Sequence, residues 1–128
     1  MGAMARVLLI DDDELVRDSI AIALKLAQYD VVTARHGREG LTLFTAQRPN
    51  IVVTDIIMPE QEGIETIMAM RKIDQTMPII AISGGSSMGA VNFLDAAQSF
   101  GATRILRKPF GPKELIRVIE DCLGNQTA

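Results

Sequence analysis

The chain has 128 residues, 48% hydrophobic and 23% charged, with a formal net charge of -3, the profile of one globular domain with a packed core. That balance excludes a broad cationic surface for nucleic acid or an acidic membrane, and no apolar run approaches the ~18 residues needed to span a bilayer. A single cysteine, Cys122, and a single histidine, His36, exclude an internal disulfide and a zinc site of the usual nitrogen and sulfur kind, so a metal here would be held by oxygen.

Met1, Gly2, Ala3 and Met4 read as a cloning scar ahead of a native start at Met4, and acids begin at Asp11, too early for a secretory leader. Cytoplasmic residence is expected. The aliphatic run 7–10 predicts a first strand. Residues 14–28 predict a helix with Val16, Ile20, Leu24 and Ala27 on one stripe and Leu15, Ile22 and Leu26 beside it. A second strand over 31–34 precedes a helix over 37–47 with Leu41 and Phe44 inward. The run 51–53 predicts a third strand, Ile64, Ile67, Met68 and Ile73 mark a third helix, and 79–82 is a fourth strand. Val91, Leu94, Ala97 and Phe100 mark a fourth helix, 105–106 a fifth strand, and Leu115, Ile116, Ile119 and Leu123 a fifth helix. The domain then spans 5–124, with 125–128 as a C-terminal tail.

Most strand runs are continuous rather than alternating, as in parallel strands covered by helices on both faces. Strand and helix alternate throughout, and right-handed crossovers turn that alternation into an α/β fold, an open doubly wound parallel sheet. Pro49, Pro59, Pro78, Pro109 and Pro112 fall between these elements or at their first residues, where a missing N–H costs least.

Ligands of such sheets bind outside the carboxyl ends of the strands, and the residues there are polar: Asp11-Asp12-Asp13, Thr54-Asp55, Ser83-Gly84-Gly85 and Arg107-Lys108-Pro109. Each group has a plain structural explanation. Asp13 and Glu14 suit a helix cap and first turn, Asp55 an Asx-turn, Ser83 a glycine turn, and Lys108 a solvated loop. Taken jointly, with sheet order 2-1-3-4-5, they surround one crevice with carboxylates, a hydroxyl and an ammonium. Three crowded carboxylates repel, and a hard divalent cation relieves this with oxygen ligands alone; Mg2+ suits a shallow, water-retaining site. A carboxylate beside Mg2+ and an ammonium can be a nucleophile toward phosphorus, which is aspartyl-phosphate chemistry.

The ordered set Leu8-Leu9-Ile10-Asp11-Asp12-Asp13, Asp55-Ile56-Ile57-Met58-Pro59 with Gly63, Ser83, and Lys108-Pro109-Phe110 resembles the receiver domain of bacterial two-component response regulators over nearly the whole chain. The resemblance implies the flavodoxin-like five-stranded fold, Asp55 as phosphoryl acceptor, and Mg2+ (or Mn2+) held by Asp11, Asp12, Asp55 and the Ile57 carbonyl. It further implies Lys108 as partner of the phosphoryl oxygens, Ser83 as switch hydroxyl, and a cis peptide before Pro109. Implied partners are a sensor histidine kinase or phosphotransfer domain and a downstream effector or output domain, with signalling through the fourth helix, fifth strand and fifth helix. Nucleic acid is not an expected direct partner of this domain.

Two features depart from the family's pattern. Ile105 stands where an aromatic switch residue is common, and the stretch between Ser83 and Lys108 is long and glycine-rich. The resemblance implies that Ile57 and Gly85, two residues beyond Asp55 and Ser83, flank the path of hydrolytic water; neither side chain can orient it, so slow loss of the phosphoryl group is expected. Among competing readings, a flavin-binding protein of this sheet would need a Ser/Thr/Gly phosphate loop where three aspartates stand. A haloacid-dehalogenase-type phosphatase would need an acid at Ile57. The alternative from another class is a phosphorylation-independent receiver-like scaffold, which Mg2+-dependent labelling by a small phosphodonor would distinguish. Cys122 and His36 are expected to pack and to be solvated, respectively.

Overall fold

A strand reading Val-Leu-Leu-Ile has no polar face to offer water, so it is stable only between two covered surfaces. In the computed structural model, which describes residues 4–56, 62–83 and 101–127, that strand is β1 (Arg6–Ile10), and its last four residues are fully buried. The chain continues through α1 (Glu14–Leu26), β2 (Asp30–Ala34), α2 (Gly37–Gln47), β3 (Ile51–Asp55), α3 (Glu62–Ile73), β4 (Ile79–Ser83), β5 (Arg104–Arg107) and α4 (Pro112–Thr127). The strands form one parallel sheet in the order β2-β1-β3-β4-β5, as expected from the sequence. The predicted helix marked by Val91, Leu94, Ala97 and Phe100 lies outside the described residues, so α4 is the fifth helical segment of the sequence.

Burial follows position in the sheet. All five residues of β3 and of β4 are buried, whereas the edge strands β2 and β5 expose Thr33, Arg104 and Arg107. Alternate side chains of the central strands feed two separate cores. Leu8, Ile10, Val52, Ile79 and Ala81 meet Phe44 of α2 and Ile67 and Met70 of α3. On the other face, Val7, Leu9, Val53, Ile80 and Ile82 meet Leu24 of α1 and Leu115, Ile119 and Cys122 of α4. Each fully buried aliphatic side chain contributes about 1.5–3 kcal/mol relative to exposure, so these two layers carry the stability of the fold.

The stripe that α1 buries is narrower than its sequence predicts. Ala21 and Leu24 are buried, but Leu15, Ile22 and Leu26 are 79%, 60% and 80% exposed. These three hydrophobic residues are offset from the sheet-facing stripe, and the described residues leave that side of α1 uncovered. His36 also differs from expectation. It is half-buried and caps α2, its Nδ1 accepting the Glu39 N–H at 3.2 Å while Glu39 Oε1 accepts the Arg35 N–H at 2.7 Å. These exchanges occupy backbone donors that a helix start otherwise leaves open.

Two glycines fix how elements approach. Gly101, at φ +127°, lies against Arg71, whose Nε donates to the Gly101 carbonyl at 2.8 Å and whose Nη2 donates to Thr103 Oγ1 at 3.1 Å. That latch ties α3 to the start of β5. Gly63 brings α3 onto the end of β3: a Cβ there would stand 2.4 Å from Ile56 Cα and 2.7 Å from the Asp55 carbonyl oxygen. Both obstacles are backbone and cannot rotate away. Gly63→Ala is therefore expected to cost about 1–3 kcal/mol, as overpacking does. Urea denaturation checks this, and an unchanged midpoint would show that α3 can withdraw without penalty.

Candidate functional site

The chain leaves β1 toward β2 on one side and returns to β3 on the other, so the crevice above β1 and β3 is where the connections diverge. Ladder pairing carries Thr54, Asp55 and Ser83 to this rim. Ile10 pairs with Thr54, Asp55 with Ile82, and Ser83 with Arg107. Main-chain bonds extend the register past the strand ends: Asp11 N to the Ala34 oxygen at 3.1 Å, Ile56 N to Ile82 at 3.0 Å, and Lys108 N to Ser83 at 2.8 Å. Thr54, Asp55 and Ser83 belong to the strands themselves rather than to turns after them, because the ladder uses backbone groups and is indifferent to side-chain polarity.

Asp11, Asp55 and Ser83 are 1%, 5% and 0% exposed, while Asp12 is exposed. Carboxylate oxygens of Asp11, Asp12 and Asp55 all lie within 4.8 Å of one another. Lys108 Nζ stands 3.4 Å from Asp55 Oδ2, which makes it an ion-pair partner rather than a solvated lysine, and the Lys108-Pro109 peptide is cis. Ile57 lies outside the described residues.

The turn that carries the acids is tightly bonded. Asp11 Oδ1 accepts the Asp13 N–H at 2.9 Å, and Asp13 Oδ1 caps α1 by accepting the Val16 N–H at 3.2 Å. Arg17, which nothing in its sequence context singles out, reaches back from α1 and donates from Nη1 to the Asp11 carbonyl at 3.0 Å. Among the described residues, two buried side-chain oxygens have no hydrogen-bond partner, Asp11 Oδ2 and Ser83 Oγ, and both are at this rim. Unpartnered buried oxygens carry a desolvation penalty, so their clustering marks a place shaped for something more than protein. Three carboxylates that supply only oxygen, one of them with a buried unsatisfied lone pair, fit a hard divalent cation.

Burial pushes the Asp11 carboxyl above its ordinary range; the Asp13 N–H bond opposes this, repulsion from Asp55 adds to it, Lys108 opposes it, and repulsion from Asp12 adds to it. Beside the acids, a groove of about 400 Å³ runs between α1 and the 108–110 segment, lined by Leu15, Val16, Ser19, Ile20, Pro109 and Phe110 together with Lys108. Its surface is mostly apolar. Cys122 is buried among core residues, as expected, and burial raises its thiol pKa.

A raised carboxyl pKa in the folded state means that Asp11 contributes its stability below the ordinary carboxylate range and loses it as pH rises through the raised value. In chelator at neutral pH, Asp11→Asn is therefore expected to be more stable than the unsubstituted protein, with the gap closing as pH falls. Glu39 and Asp74, held low chiefly by hydrogen bonds from Arg35 N and Thr76 N, lose stability on acidification, but equally in both proteins. Chemical denaturation from pH 4 to 8 reads the difference; a gap that does not depend on pH would remove Asp11 as its source.

The response regulator receiver domain family matches residues 7–120. The response regulator MprA of Mycolicibacterium vanbaalenii is 38% identical over 123 residues, covering 95% of this chain and 52% of the relative. The transcriptional regulatory protein PrrA of Mycobacterium tuberculosis is 36% identical over 118 residues, covering 92% and 49%. This chain thus spans about half the length of the curated relatives it matches. Among solved structures, the chemotaxis protein CheY4 of Vibrio cholerae superposes with a TM-score of 0.85 at 31% identity, over 94% of this chain and 99% of that one. A receiver domain protein from Clostridium thermocellum gives 0.89 at 28% identity, over 97% and 98%. On sequence and on fold alike, this chain belongs to the response regulator receiver domain family.

Proposed function

We propose that this chain is a phospho-accepting receiver: Asp55 takes a phosphoryl group from a phosphohistidine on a sensor kinase or phosphotransfer domain, with Mg2+ held by Asp11, Asp12, Asp55 and the carbonyl of Ile57. The observation that carries this reading is Asp55 paired with Lys108 at 3.4 Å in the same crevice as a buried, unpartnered oxygen of Asp11. In the transfer, the bond from donor nitrogen to phosphorus breaks as the bond from an Asp55 carboxylate oxygen to phosphorus forms. The electron pair stays with the imidazole, which is protonated from solvent. A Mg2+ ion held by Asp11, Asp12 and Asp55 would supply charge neutralisation for the phosphoryl oxygens. Lys108 holds one of those oxygens, and Ser83, whose buried Oγ has a proton to give, donates to another.

The donor protein docks along α1, where exposed Leu15 adjoins the groove that ends at Lys108. Output passes through β5, α4 and the expected helix marked by Val91, Leu94, Ala97 and Phe100, which lies outside the described residues. Because relatives such as PrrA are about twice as long, the effector is a separate protein or a further domain, and any nucleic-acid contact is made there.

Incubation with acetyl phosphate in Mg2+ is expected to add one phosphoryl group by intact mass, and Asp55→Asn or EDTA to abolish it. An adduct of equal yield in either control refutes the acceptor assignment. No adduct in Mg2+ leaves the scaffold alternative.

The adduct is also expected to decay slowly, because neither Ile57 nor Gly85 offers a polar side chain to align water with the Asp55–phosphorus bond. Ile57→Asn combined with Gly85→Glu is expected to speed its loss at least several-fold in Mg2+ buffer. Equal or slower decay would show that these side chains do not govern water.

A further inference from the structure

Asp12 is the exposed member of the acidic cluster, yet its carboxylate stays with those of Asp11 and Asp55. An exposed aspartate on a free turn would sample several directions and would move away from two like charges. What holds it is visible in the peptide planes on either side of its Cα. The Asp11–Asp12 peptide is pinned at its carbonyl by Arg17 Nη1 at 3.0 Å. The Asp12–Asp13 peptide is pinned at its N–H by Asp11 Oδ1 at 2.9 Å. With both planes fixed, φ and ψ of Asp12 are fixed, and so is the direction in which its side chain leaves the backbone.

The two pins differ in kind. Asp11 is itself one of the clustered acids, whereas Arg17 contributes no ligand atom. Its own position is secured by the helix, since Arg17 N donates to the Asp13 carbonyl at 2.8 Å in a turn already capped by Asp13. From there the half-buried side chain returns to the one carbonyl that precedes Asp12.

We infer that Arg17 is a positioning residue for the cation site: by holding the Asp11 carbonyl it presets Asp12, and so sets how tightly the acidic cluster binds Mg2+. This rests on the proposed reading of the cluster as a cation site. It assigns Arg17 no contact with the phosphoryl group and no part in the transfer itself.

The sign of the effect separates positioning from charge. Arg17 is a cation near a cation site, so deleting its charge alone would tighten Mg2+ binding. Losing the pin weakens binding, on the order of tenfold as for other residues that orient metal ligands. Arg17→Met keeps the aliphatic stem and removes the donors; Arg17→Lys keeps the charge and one hydrogen-bonding head.

Mg2+ titration followed by backbone amide shifts of residues 11–13 gives the dissociation constant directly, without any turnover. The expected result is a dissociation constant raised about tenfold in Arg17→Met and partly restored in Arg17→Lys, with labelling by acetyl phosphate recovering to the unsubstituted rate at saturating Mg2+. An unchanged or tighter constant in Arg17→Met overturns the inference, as does a labelling rate that stays low at saturating Mg2+. Should Arg17→Met not fold, Arg17→Lys alone decides, because a constant identical to that of the unsubstituted protein also overturns it. The unsubstituted protein tests the underlying reading separately: if it shows no Mg2+-induced shifts at all, the cation site itself fails.

Discussion

The crowding of like charge at the carboxyl ends of β1 and β3 is the constraint around which this molecule is arranged. Three carboxylates with oxygens within 4.8 Å, two of them buried, are held together against mutual repulsion by a single nearby ammonium and by the rigidity of the backbone. Such a cluster is tolerated because the surrounding elements leave it no way to relax. Asp11 is bonded to β2 through its N–H, to α1 through its carbonyl and to its own turn through Oδ1. Asp55 is locked as the last residue of a fully buried strand. The local cost is offset by the two apolar layers beneath.

Those layers also explain why the site is exact in its geometry while the rest of the surface is ordinary. A parallel ladder forces neighbouring strands into fixed register, so a residue at the end of β1 and one at the end of β3 cannot slide relative to each other without unpairing the core. Lys108 gains its place in the same way, through the bond from its backbone N–H to the Ser83 carbonyl that continues the β4–β5 ladder. At the opposite pole, the Arg71 latch on Gly101 and Thr103 secures the start of β5. The lysine is thereby positioned from both ends of a strand only four residues long.

Much of this was legible in residue order. Continuous aliphatic runs mark strands covered on both sides, and the polar residues that follow them mark the rim. The harder features are those where a side chain's role depends on what packs beside it. Leu15, Ile22 and Leu26 have the spacing of a buried stripe, but none of the described residues covers them. His36 looks solvated in one dimension and becomes a helix cap because the chain turns so that its Nδ1 meets the Glu39 N–H. Arg17 stands among charged residues typical of any helix surface, and its bond to the Asp11 carbonyl spans six positions, outside the three- and four-residue spacings by which helical neighbours are recognised.

By itself, the sequence determined the order of the described elements, the parallel class of the sheet and the membership of the acidic rim, because apolar periodicity and charge placement are local properties that survive without coordinates. Only the tertiary structure decided which oxygens are buried and left unpartnered, that Lys108 pairs with Asp55, and which side chain pins each peptide plane of the turn. These are contacts between residues as far apart as Asp55 and Lys108, and their existence depends on register and on angles set by the whole packed sheet, which no local pattern encodes.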